Sequence, residues 1–117
     1  MRVPATVWQV HLTAAAEADF EQAVRWSAQQ FGVSQARVYA ETLTLAVAAL
    51  TAGPSVPGVR HREDIGKRLM SLHVARLGRK GRHFVIFRTR RRDRKQVVEV
   101  LRLLHDSMDL ARHLPTI

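Results

Sequence analysis

Four consecutive apolar residues, Phe84-Val85-Ile86-Phe87, stand between basic flanks in the second half of the chain. A strand with one wet face alternates, so a run that is apolar on both sides predicts a strand in the middle of its sheet, covered on both faces. Two more strand-like runs sit on either side. Leu69 to Arg76 alternates, with Met70, Leu72 and Val74 opposing Ser71, His73 and Ala75, and Val97 to Leu104 is apolar apart from Glu99 and Arg102. The connections Leu77–Arg82 and Thr89–Lys95 are of hairpin length and predict an antiparallel meander.

The first half must supply the cover. Thr6 to Leu12 alternates as a half-buried strand, with Trp8, Val10 and Leu12 on one face. Thr13 then suits a helix N-cap, and Glu17 and Asp19 sit near the positive end of that helix. Phe20, Ala23, Val24, Ala28 and Phe31 form its apolar stripe, and Gly32 is placed to end it with a left-handed residue. Ser34 is a second N-cap. Val38, Leu45, Ala46, Ala49 and Leu50, with Tyr39 and Leu43 to one side, give a second stripe, which Gly53-Pro54 stops. So short a link makes the two helices antiparallel neighbours. Ala52 to Gly66 reads as a loop, and Met108 to Leu114 as a short helical or irregular tail. The expected architecture is α+β, in the order strand, helix, helix and three strands, with the helical hairpin on one face of the sheet. Arg88 and Arg102 are expected on the uncovered face. A chain of 117 residues with 46% apolar content suits a single domain over 1–117.

Charge narrows the partners. Residues 1–59 carry three basic and four acidic side chains, residues 60–102 carry fifteen and four, and residues 103–117 carry one and two. The whole net charge of +9 therefore comes from the sheet-forming half. A field of that sign favours nucleic acid, an acidic protein segment or an anionic surface. Cysteine is absent, which excludes disulfides, thiolate metal sites and thiol nucleophiles. His11, His61, His73, His83, His105 and His113 form no paired zinc motif, so neither metal nor cofactor is expected. No apolar run reaches membrane-spanning length, and Met1-Arg2-Val3-Pro4 does not open a secretory leader, so a cytoplasmic protein is expected. Arg90-Arg91-Arg92-Asp93-Arg94-Lys95 reads either as a solvated hairpin tip or as a grip on a phosphate backbone. It has no interleaved aromatic residue on which single-stranded bases would stack. Trp8 and Trp26 read as core or partner-contact residues.

Two blocks carry a resemblance. Gly81-Arg82-His83-Phe84-Val85-Ile86-Phe87-Arg88 is similar to the glycine–basic–His–apolar strand of ParE-type toxins, and Arg102-Leu103-Leu104-His105-Asp106-Ser107-Met108-Asp109 with His113-Leu114 resembles their closing strand and tail. With the weaker helix positions Ala16, Asp19, Trp26, Phe31-Gly32, Ala36, Tyr39, Leu43, Leu50 and Pro54, the chain resembles the ParE/RelE superfamily of toxins from about Leu12 to Leu114. Many relatives have tyrosine where this chain has Phe87. ParE-type resemblance implies a gyrase poison without catalysis, held inactive by an antitoxin whose C-terminal segment wraps the toxin, with higher-order toxin–antitoxin assembly open. The expected partner-binding residues are Arg79, Lys80, Arg82, Arg88, Arg102, His105, Met108 and Asp109. RelE-type resemblance implies instead a ribosome-dependent ribonuclease. In that case His105 is the acid or base, and Arg88 and Arg102 hold the phosphate. The competing reading of His105 is structural, a histidine that orders the tail.

Overall fold

The computed structural model describes residues 7–114. The expectations for Met1–Pro4 and for Thr6 lie outside them. Strand β1 spans Gln9–Leu12, helix α1 Ala14–Phe31, helix α2 Val33–Ala49, strand β2 Arg60–His61, β3 Met70–His73, β4 His83–Arg92 and β5 Lys95–His105. The sheet order is β1-β5-β4-β3-β2. β4 is the central strand, as its two-sided apolar run requires. The expected meander is present, because β3, β4 and β5 pair antiparallel. β1 instead lies parallel to β5, from Gln9 opposite Val97 to Leu12 opposite Val100. The sheet is therefore mixed.

Thr13 caps α1 as expected, its hydroxyl accepting the Ala16 N–H at 3.1 Å. The same hydroxyl donates to the Leu101 carbonyl at 2.8 Å, and the Thr13 N–H donates to the Val100 carbonyl. The chain thus leaves the sheet at the point where β1 stops, and the start of α1 takes over the edge of β5. Gly32 ends α1 with φ +93 and ψ +166, a positive φ but not the left-handed helical conformation expected. It also serves as the N-cap of α2, so Ser34 falls inside the first turn of that helix and is not the cap.

Both helices pack on one face of the sheet, where Ala16, Ala23, Leu43, Ala46 and Leu50 meet Leu72, Val85, Phe87, Val98 and Val100. The expected α2 stripe is rotated. Val38 and Leu45 are exposed, and Ala36, Thr42, Leu43, Ala46 and Leu50 are the buried set. Alanines let the helix backbone come close to its neighbours, and the bulkier residues turn outward. Phe31 has the right phase but is exposed, because it stands at the last turn of α1, beside the Gly32 link. On the opposite face Leu69, Ile86, Leu101 and Leu104 pack beneath Leu110 of the tail, which forms a 3-10 turn over Leu110–His113.

Three boundaries differ from expectation. The loop Ala52–Gly66 contains β2, whose two residues pair with Ser71 and Met70 of β3. The run Leu69–Arg76 is strand only over Met70–His73, after which Val74–Leu77 winds into a 3-10 turn. Arg90, Arg91 and Arg92 belong to β4 rather than to a loop, and the β4–β5 link is the two-residue turn Asp93-Arg94, with φ +49 and +65. Such a turn matches the twist of the strands and lets pairing continue to Arg92 opposite Lys95.

Candidate functional site

At the hairpin end of the molecule, a groove of about 880 Å³ opens between the helices and the loop that precedes β4. Its apolar wall comes from the last turns of α1 and the first turns of α2. Trp26, Phe31 and Val38 are 51%, 65% and 52% exposed, and the Trp26 and Phe31 rings meet edge to face at 5.8 Å. The opposite wall is Arg79, Lys80, Gly81, Arg82 and His83, with His105 from the end of β5. Gly81 makes this approach possible, since a Cβ there would run into Val74 Cγ2 and lie 3.2 Å from Tyr39 Cε1.

The basic side chains of the groove are held to different degrees. Arg79 is stapled to α2, with Nε to Thr42 Oγ1 at 2.9 Å, Nη1 to Glu41 at 3.0 Å and Nη2 to the Val38 carbonyl at 3.3 Å. Arg82 is exposed and pairs with Asp106 at 3.0 Å. Lys80 is exposed and has no carboxylate partner among the described residues.

Behind them lies a connected polar network. The Arg82 N–H donates to the Tyr39 hydroxyl, which is also hydrogen-bonded to His83 Nδ1. Burial pushes the Tyr39 phenol up, so it stays protonated. Burial, helped by the positive field of His105, pushes His83 down to about 4, so its ring is neutral at pH 7. The His83 and His105 rings stand edge to face at 5.3 Å. His105 Nδ1 accepts from the Ser107 N–H at 3.1 Å and contacts the Ser107 hydroxyl at 2.7 Å, which orders the turn into the tail. Asp106 receives His73 Nε2 at 3.0 Å as well as Arg82. Partial burial alone raises its carboxyl, but these two hydrogen bonds outweigh that and hold it below the usual carboxylate range.

The sequence-predicted residues therefore divide. Arg79, Lys80, Arg82 and His105 come together in the groove. Met108 and Asp109 lie on the tail, where Met108 is exposed and Asp109 sits 3.6 Å from Arg112. Arg88 is elsewhere, bound to Glu99 at 2.7 Å. Its register partner Glu99 precedes His105 by six residues in β5, which is about 20 Å of strand. Arg102 does not project freely from the sheet. Nε and Nη2 bind both oxygens of Asp19, at 2.7 and 2.9 Å, and Nη1 binds the His113 carbonyl at 2.8 Å. Asp19 also accepts the Leu103 N–H at 2.9 Å, so this cluster clasps α1, β5 and the tail. The set His105, Arg88 and Arg102 is thus not assembled around one phosphate.

Tyr39 and His83 were not singled out for a site, although Tyr39 is the sole tyrosine and His83 lies in the glycine–basic–His block. A second concavity of about 520 Å³ on the helix-free face is lined by Arg60, Arg62, Ser71, His73, Arg76 and Phe84 among others. Its Arg62 is already bound to Asp64 at 3.0 Å and lies 5.3 Å over the Phe84 ring. Trp8 belongs to the core side, packing against the main cluster and over Gly53. Among the described residues no three His, Asp or Glu side chains are placed to hold a metal ion, and no helix is long and apolar enough to cross a membrane.

The family model for the ParE toxin of the parDE type II toxin–antitoxin system matches residues 10–110. Among solved structures, the chromosomal ParDE TA system from P. aeruginosa contains a chain that superposes with a TM-score of 0.59 at 17% identity, over 86% of this chain and 97% of that one. That likeness bears on the fold. No curated protein matches.

Proposed function

Because the chain belongs to the ParE toxin family of type II toxin–antitoxin systems, we propose that it acts by binding DNA gyrase and trapping it on cleaved DNA, without chemistry of its own. The observation that carries this reading is the way its arginines are engaged. Arg102 spends all its bonded nitrogens on Asp19 and His113, Arg88 is paired with Glu99, and the two are not gathered with His105. Charge stabilisation of a phosphorane needs unspent donors aimed at one point.

In the same reading, the cognate antitoxin is a ParD-like protein that lays an amphipathic segment in the groove. Trp26, Phe31 and Val38 offer exposed apolar anchorage, and Lys80 and Arg82 offer positive charge to acidic side chains of that segment. Gyrase as target puts the site of action in the cytoplasm.

The test is purified toxin with gyrase and plasmid DNA. Loss of supercoiling, with linear DNA after denaturation that antitoxin suppresses, is the expected result. Unchanged supercoiling at micromolar folded toxin overturns it. One observation favours a second reading, ribosome-dependent RNA cleavage: His83 and His105 stand 5.3 Å apart in a basic groove. Under that reading His105→Ala lowers mRNA cleavage during translation by about 10²-fold or more. Gyrase poisoning by the same variant stays within a few fold.

A further inference from the structure

The β4–β5 pair runs past the rest of the sheet. β3 last contacts β4 at Phe87, and β1 first contacts β5 at Val97. Beyond those positions, Arg90 to Gln96 is a two-stranded ribbon, closed by the Asp93-Arg94 turn, with no third strand paired to either edge among the described residues. Five of the six residues from Arg90 to Lys95 are cationic, and every one of the six is exposed. Arg90 reaches Glu99 at 3.3 Å, whereas Arg91, Arg92, Arg94 and Lys95 have no carboxylate within 4.0 Å among the described residues. Register places Arg88, Arg90, Arg92 and Lys95 on one face of the ribbon and Arg91 on the other, so charge surrounds the tip. Open edges are commonly protected by charge against strand pairing. Protection works with either sign, and here nearly all of the charge is positive.

We propose that this ribbon is a binding element for duplex DNA, seated in the major groove with its arginines on the flanking phosphates. Three features select the partner. The tip carries no exposed apolar side chain with which to anchor a protein segment, and no aromatic residue on which to stack single-stranded bases. Its width, one interstrand spacing of about 5 Å plus side chains, fits the roughly 12 Å major groove of B-DNA, which admits a two-stranded ribbon. The major groove of A-form RNA is too narrow and deep for side chains to enter. The ribbon tip lies about 30 Å along β4 from His83 and the groove, so occupancy of the groove leaves it open. The inference is independent of gyrase and of any antitoxin.

The experiment is fluorescence anisotropy of the full chain with a short labelled DNA duplex across a salt series. If Arg91, Arg92, Arg94 and Lys95 each neutralise one phosphate, log Kobs falls against log salt with a slope of about −3.6. The variant Arg91→Gln, Arg92→Gln, Arg94→Asn should bring the slope to about −1 and weaken binding about tenfold or more at low salt. Asn is chosen at position 94 because that residue has φ +65. A control that removes the same charge elsewhere, Arg25→Gln, Arg37→Gln, Lys67→Gln, should bind as the parent does. Equal loss in both variants would assign binding to the overall positive field and overturn the proposal. So would equal affinity for a single strand, an RNA duplex or polyglutamate. If the triple variant does not fold by circular dichroism, the pair Arg91→Gln, Arg94→Asn replaces it. An unchanged slope in that pair overturns the proposal, and a slope shallower by about 1.8 supports it.

Discussion

Replacing Asp19 by alanine removes the acceptor that holds α1 against β5. The carboxylate side chain is 10% exposed and takes Arg102 Nε, Arg102 Nη2 and the Leu103 N–H. Removing one partner of a buried ion pair costs about 3–5 kcal/mol. The Arg102 side chain is 25% exposed, and its guanidinium still reaches water after the change, so the low end applies. Of the resulting loss of about 3 kcal/mol, about 1–2 kcal/mol belongs to the Leu103 N–H left without a partner. With an m-value of about 1.5 kcal/mol/M for a domain of this size, the urea midpoint should fall by about 2 M. Asp19→Asn keeps an oxygen for the Leu103 N–H and should lose roughly half as much. Arg102→Ala, alone and combined with Asp19→Ala, completes a double-mutant cycle, with an expected coupling of about 1–2 kcal/mol. A loss below about 1 kcal/mol for Asp19→Ala, or no measurable coupling, would refute the clasp as a stabilising unit.

Four further outcomes are expected. His83 has a folded value of about 4, below its ordinary 6.5, so the unfolded chain takes up a proton that the folded chain refuses. Its contribution is complete above pH 6.5 and is lost as pH falls toward 4; the maximum of about 3 kcal/mol, reduced by solvent at the ring edge to about 2 kcal/mol, should disappear from urea titrations of His83→Gln. Gly81→Ala should destabilise by about 1–3 kcal/mol through the clash with Val74 and Tyr39, read as a lowered Tm. Trp26→Ala should weaken antitoxin binding by about 30-fold or more in calorimetry while leaving Tm within a few degrees, because half of the ring is exposed. Antitoxin affinity should fall as salt rises, and the Lys80→Gln, Arg82→Gln pair should flatten that dependence.

Local patterns made most of the fold legible. The Thr13 cap, the apolar stripe of α1 from Phe20 to Ala28 and the two-sided apolar run of β4 each depend on near neighbours, and each is present. What escaped depends on distant partners. β2 has two residues and exists because β3 offers an edge, and the segment around it, Ala52 to Gly66, is rich in Gly and Pro and reads as loop. The α2 face was misjudged because Val38 and Leu45 outweigh alanines in any hydrophobic count, whereas packing rewards the small residues that allow close approach. Arg102 looked like a phosphate ligand because nothing near it in sequence announces Asp19, eighty-three positions earlier. The groove was half visible. Its basic wall lies in one segment, Arg79 to His83, but its apolar wall needs Trp26, Phe31 and Val38 from two helices.

The position of β5 governs when the molecule can come into being. This strand holds β1 on one side and β4 on the other, and it is the last of the five described strands in chain order. Until it arrives, the helical hairpin has no completed surface on which to bury Leu43, Ala46 and Leu50, and β1 has no partner at all. Loop-closure entropy delays such first-to-last pairing, so every copy of the chain passes through a stage with exposed apolar helices and no groove. A translation product broken off before Lys95 is therefore not a weakened version of this protein. It lacks the strand that turns the earlier elements into a fold, and a cell that stops synthesis early makes no partial toxin.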